Sequence, residues 1–92
     1  MPVSLADRVT ASPNVIFRAL GDEAIVLSLD GGMYFGLDEV GVRIWQLLET
    51  HDLAGVAAAL AGEYDIEPAL VESDVVAFVE TLAGKGLVQR AG

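Results

Sequence analysis

Apolar residues alternate with smaller or polar ones in the first third of the chain, then recur every three to four positions over the rest. Alternation marks half-buried strands, and the longer period marks helices with one apolar face. Residues 15–20 (Val-Ile-Phe-Arg-Ala-Leu) and 24–29 (Ala-Ile-Val-Leu-Ser-Leu) read as two strands parted by a Gly21-Asp22 turn. In the second, Ile25, Leu27 and Leu29 alternate with Ala24, Val26 and Ser28. Asp30-Gly31-Gly32 tolerates positive φ and signals a hairpin, so Met33 to Leu37 becomes the third strand. The period changes at Asp38, a side chain suited to capping a helix that runs to about Glu49. Val40, Ile44, Leu47 and Leu48 share one face of that helix. Asp52 caps a second helix carrying Leu53, Val56, Leu60 and Tyr64 on one side. Pro68 suits the first turn of a third, whose stripe is Val71, Val75, Phe78 and Leu82 and which stops near Gly84 or Gly86. Leu87 and Val88 close the core or form a short terminal strand, and the two ends of the chain read as frayed.

Strands segregated from helices specify an α+β fold: a three-stranded antiparallel sheet followed by three helices, winged-helix-like in outline. A three-stranded meander cannot bury its apolar face alone, so the helices are expected to pack across it. No repeat or linker divides the 92 residues, and residues 1–92 are read as one domain.

Composition narrows the chemistry. The chain has no cysteine and one histidine, His51, which excludes disulfides, thiolate ligands and the usual zinc sites. The carboxylates are dispersed, without the Asp-x-Asp-x-Asp-Gly spacing of a calcium loop. Pairs such as Asp22-Glu23 and Asp38-Glu39 lie at turns and helix starts, where capping is their ordinary role. No nucleophile elbow and no phosphate loop is present. Neither an enzymatic activity nor a cofactor is therefore expected. Residues 1–7 lack the basic patch and apolar run of a signal peptide. No apolar stretch approaches the ~20 residues that cross a bilayer. A cytoplasmic location without membrane attachment is the expectation.

Fourteen acidic residues against five basic ones give a net charge of −9. Such a surface repels nucleic acid, favours cationic partners and disfavours self-association, so a monomer is expected. This bears on the main alternative, a DNA-binding winged helix built from the second and third helices. The third helix carries Glu67, Glu72, Asp74 and Glu80 against Lys85 alone, the wrong charge for approaching phosphates. An acyl or peptidyl carrier, the other alternative, needs a modifiable serine opening a helix. Ser73 instead sits inside the third helix, in Glu-Ser-Asp, with strands ahead of it.

The positive signal is the third strand. In a simple meander it lies at an edge, and edges are usually blunted by lysine, proline or inward charge. Met33, Tyr34, Phe35, Gly36 and Leu37 include none of these. Such an edge suits a peptide that adds itself as a further strand, unless a terminus or helix covers it.

At these residues the sequence resembles the PqqD family. The similarity rests on the run from Ile25 through Gly31-Gly32-Met33-Tyr34-Phe35-Gly36-Leu37-Asp38 to Gly41 and Ile44-Trp45. It continues in Leu60, Tyr64, Asp74-Val75, Phe78, Leu82 and Gly86-Leu87, covering roughly residues 15–90. Each motif alone is weak; their order together is more specific. Asp38 stands where the family often has asparagine, a change that keeps the cap. The resemblance implies a recognition element for ribosomally synthesised and post-translationally modified peptides (RiPPs). Such a domain binds the leader of a precursor peptide and presents it to a maturation enzyme, such as a leader peptidase. The Ser4-Leu-Ala-Asp-Arg-Val start and the Tyr-Phe-Gly-Leu-Asp form look closer to the lasso-peptide members. The expected docking site pairs the leader antiparallel with residues 33–37. Side chains from the third helix would line the groove: Val71, Asp74, Val75, Phe78, Val79, Leu82 and Lys85. Trp45 reads as a packing residue, Leu37 and Ile44 as core, and Gly41 as a close helix contact. Tyr34 and Phe35 are consecutive, so they point to opposite faces and only one is buried.

Overall fold

The computed structural model describes residues 2–91. A short strand, β1 (Val9–Ala11), leads into a meander of β2 (Val15–Leu20), β3 (Glu23–Ser28) and β4 (Tyr34–Leu37). Three helices follow, α1 (Glu39–Leu47), α2 (Leu53–Tyr64) and α3 (Pro68–Gly84), and then β5 (Val88–Arg90). The expected antiparallel sheet has the order β2-β3-β4, with Val26 opposite Phe17 on one side and Phe35 on the other. Gly21 and Gly32 have φ of +67° and +68°, the left-handed conformation that the two tight connections require. The winged-helix likeness describes this arrangement only loosely, because the sheet precedes all three helices.

Each helix starts as its local chemistry dictates. Gly41 N–H donates to Asp38 Oδ1 and Gly55 N–H to Asp52 Oδ1, both at 2.8 Å, satisfying donors the helix itself cannot. The N–H groups of Leu53 and Ala54 donate to the carbonyls of Asp7 and Leu5, so the N-terminal segment seals the start of α2. Asp65 ends α2 in the left-handed conformation. Pro68 occupies the first turn of α3. That helix closes with Gly86 N–H on Ala83 O and Leu87 N–H on Leu82 O, with Gly86 at φ +74°.

Three expectations change. The described residues near the two ends are tied together rather than loose: β1 pairs antiparallel with β5, Val9 opposite Arg90 and Ala11 opposite Val88, with Val9 and Val88 buried, while residues 1 and 92 lie outside the described residues. α1 stops at Leu47 rather than Glu49, because Thr50 and His51 N–H turn back onto the Leu47 carbonyl. On α3, Val79 is buried and Phe78 is half-buried, so the core stripe is Val71, Val75, Val79 and Leu82.

One cluster joins sheet and helices through Val26, Ile44, Leu53, Val56, Val75, Leu82 and Leu87. Fully burying a side chain of this kind contributes about 1.5–3 kcal/mol. The sheet gives the core its smaller residues. Ala24, Val26 and Ser28 face inward, which lets α1 approach β3, while Ile25 stays partly exposed on the outer face. Among the described residues, no helix is long and apolar enough to cross a membrane.

Candidate functional site

Strand β4 pairs only with β3 and leaves its other side open. Hydrogen-bond alternation fixes which of its groups are free. Ser28 N–H donates to the Met33 carbonyl, and Leu29 N–H to the Asn14 carbonyl on the opposite side. In an antiparallel ladder this alternation continues along the strand. Phe35 and Leu37 therefore turn their backbone groups toward β3. Tyr34 and Gly36 turn their N–H and C=O outward, ready to pair with another strand.

Side chains alternate as well. Leu37 is buried, Phe35 is half-buried beneath the sheet, and Tyr34 is 69% exposed on the outer face. This settles the Tyr34–Phe35 pair in favour of Phe35 as the inner residue. Phe35 meets Phe78 of α3 edge-on, with ring centroids 6.1 Å apart. The Lys85 ammonium lies 5.7 Å from the Phe35 centroid, within cation–π range.

A cleft of about 370 Å³ opens beside this aromatic pair. Its walls are Phe35 and Gly36 of β4, Asp74 and Phe78 of α3, and Asp38, Val40, Gly41 and Ile44 at the start of α1. A second open recess continues from Phe35 and Gly36 past Met33 and Tyr34 to Lys85. The two share residues, so they form one groove along β4.

The twelve residues singled out from sequence divide between this groove and the core. Met33, Tyr34, Phe35, Gly36, Asp74, Phe78 and Lys85 come together along the groove. Leu37, Val71, Val75, Val79 and Leu82 are at most 4% exposed and belong to the core, where they support the groove from beneath. The start of α1 was missed as a groove wall. Its signal was present in Asp38-x-x-Gly41: a Cβ added at Gly41 would lie 3.3 Å from Phe78 Cζ and 3.4 Å from Leu37 Cβ. That glycine therefore lets α1, β4 and α3 converge.

The groove offers backbone pairing, apolar and aromatic walls, and charges at its ends. Among the described residues, no group of three or more histidine or carboxylate side chains is placed to hold a metal ion. The arrangement suits an extended peptide.

Comparison with known proteins adds to this geometry. The profile of the family described as coenzyme PQQ synthesis protein D (PqqD) matches residues 23–88. TbiB1, solved in complex with the TbiA(beta) leader peptide, is 37% identical and superposes with a TM-score of 0.83, covering 90% of this chain and 98% of that one. Lasso peptide synthetase B1, complexed with the leader peptide, is 26% identical with a TM-score of 0.82, covering 89% and 98%. The PqqD truncation of Methylobacterium extorquens PqqCD, a stand-alone RiPP recognition element, is 24% identical with a TM-score of 0.79, covering 95% and 94%; it bears on the fold alone. No curated protein sequence matches the chain significantly.

Proposed function

The chain belongs to the PqqD family, and on that premise we propose that it binds the leader segment of a ribosomally made precursor peptide and presents it to a maturation enzyme in lasso-peptide biosynthesis. The reading is carried by one observation: the open β4 edge runs beside an apolar cleft. The likeness to TbiB1 supports it, since that protein was solved in complex with a leader peptide and the match covers 98% of its chain. In this proposal the leader pairs antiparallel with β4 through Tyr34 and Gly36. Its inward side chains enter the cleft beside Phe35 and Phe78. Backbone pairing supplies affinity without reading sequence, and the cleft supplies specificity. The protein itself contributes no catalytic group; bond-breaking belongs to the partner enzyme, a leader peptidase being the kind that fits. Nothing in the groove favours DNA: the net charge of −9 opposes phosphate contact.

The test is a titration of isotopically labelled protein with a lasso leader peptide, the TbiA(beta) leader first. Amide shifts are expected to cluster at residues 33–44 and 71–85. Clustering on β2 or α2 instead would place the site elsewhere. Association is expected to slow as salt rises when the leader is cationic, because charge of this kind acts mainly on encounter. Identical rates at low and high salt would remove charge steering from the reading.

A further inference from the structure

The two ends of the groove carry opposite charge. At the end beside Gly36 and the start of α1, Asp38 and Asp74 face the cleft. Asp38 uses Oδ1 to cap α1, which leaves its other oxygen available. At the opposite end, Lys85, the chain's only lysine, lines the recess with Met33 and Tyr34 and is held over the Phe35 ring. Thus α3 runs against β4, with its acidic part near the strand's end and its basic terminus near the strand's start.

We propose that this charge order selects the sequence and direction of the bound strand: a basic residue first, then a paired apolar stretch, then an acidic residue. The inference rests on the leader-binding reading and deepens it. A strand antiparallel to β4 enters at the Leu37 end and leaves at the Met33 end. Its earlier residues pass Asp38 and Asp74, and its later ones pass Lys85. Asp74 and Lys85 are separated by about 16 Å along the helix at ~1.5 Å per residue. A strand covers that distance in about five residues at ~3.3 Å each. Side chains reach the same inner face only at even spacings, so the basic residue precedes the acidic one by four or six. A peptide with the reverse order sets like charges together at both ends. Backbone pairing alone cannot distinguish the two orders; the end charges can.

The experiment is phage display of random twelve-residue peptides on the full chain. It is run in parallel on the Asp74→Lys/Lys85→Glu double variant, with folding of both checked by circular dichroism. The wild type is expected to enrich lysine or arginine four or six residues ahead of aspartate or glutamate. The variant keeps Asp38 at the first end, so it should lose the preference for a leading basic residue and favour a basic residue in the trailing position instead. A selected peptide, resynthesised with its two charges exchanged, should bind the wild type about 3- to 10-fold more weakly in fluorescence anisotropy. Enrichment of apolar strands with the same charge pattern on both proteins overturns the charge-order proposal and leaves strand addition standing. Enrichment of acidic-before-basic peptides on the wild type overturns it too, and assigns the opposite strand direction. If neither protein enriches any peptide, strand addition at β4 fails and the charge-order proposal fails with it.

Discussion

The central sheet has two open edges, and they differ in what lies beneath them. On β4, Tyr34 and Gly36 turn their backbone groups outward; on β2, the same alternation exposes those of Val15, Phe17 and Ala19. The difference lies beneath the strands. Phe35 of β4 borders a cleft of about 370 Å³ that reaches Phe78 and the start of α1. Phe17 of β2 is stacked on Trp45, with centroids 6.2 Å apart and planes 17° from parallel. The recess nearest Trp45 is only about 90 Å³. β2 also carries Arg18 at its middle, a charge of the kind that blunts edges. Free hydrogen-bonding groups are thus common to both edges, while the larger inner-face cleft lies beside β4; the recess lined by Ile16, Arg18 and Leu20 of β2 opens on the outer face. An open edge becomes a recognition site when its inner face has room to read what pairs with it.

The largest expected effect strikes the foundation both edges share. Leu82 is fully buried between sheet and helices, and Leu82→Ala is expected to cost about 2–5 kcal/mol. Thermal denaturation should show the midpoint falling by at least about 10 °C. A drop of only a degree or two would mean the core beneath the groove is not packed as described.

A proline scan separates the edges directly. Gly36→Pro removes an outward N–H without touching the β3 ladder, and a Cβ there meets nothing within 4 Å. One lost backbone bond with its stranded partner costs about 1–3 kcal/mol, or about 5- to 150-fold in leader affinity. Ala19→Pro does the same on β2 and is expected to change affinity less than about 2-fold. Equal losses at the two positions would erase the distinction between the edges.

Trp45→Ala sharpens the comparison from the other side. It empties the space under Phe17, and should lower stability by about 1–2 kcal/mol while leaving leader affinity within about 2-fold. Calorimetric titration alongside chemical denaturation checks both. A large affinity loss without unfolding would make the β2 side part of the site.

The smallest effect lies away from both edges. Arg43 grips Glu63 through two hydrogen bonds of 2.9 and 2.7 Å, and that bonding holds the Glu63 carboxyl below its usual range. A depressed folded value means the contribution is complete above the unfolded glutamate value and is lost as pH falls through the folded one. Both side chains are well exposed, so the effect is small. Glu63→Gln should flatten the loss of stability on acidification slightly and leave leader binding at neutral pH unchanged. An unaltered acid slope would show that the pair contributes nothing to stability.

The meander and helices were legible because their signals are local. Asp38, Asp52 and Pro68 mark helix starts by their own chemistry, and Gly32 marks a turn by its backbone freedom. The β1–β5 ladder was not, because each strand is three residues long and the two are about eighty positions apart. Val9 is the one large apolar residue in β1, too little to show a period. The groove was half legible. β4 and Asp74, Phe78 and Lys85 follow from an unguarded strand and a helix face. Which of Phe78 and Val79 enters the core depends on how α3 is rotated against its neighbours, which spacing alone does not fix. The wall from α1 requires knowing that Gly41 brings that helix against Phe78.

The β1–β5 ladder also determines how the molecule yields when its ends are pulled apart. Val9 faces Arg90 at one end of the ladder and Ala11 faces Val88 at the other, so both chain ends leave from the same side. Tension between them loads the hydrogen bonds one pair at a time, as in opening a zipper, rather than all together in shear. The ladder should therefore part at low force while the meander is still intact. A tug transmitted through both ends would loosen the contacts of Leu5 and Asp7 with α2 before it reached the groove.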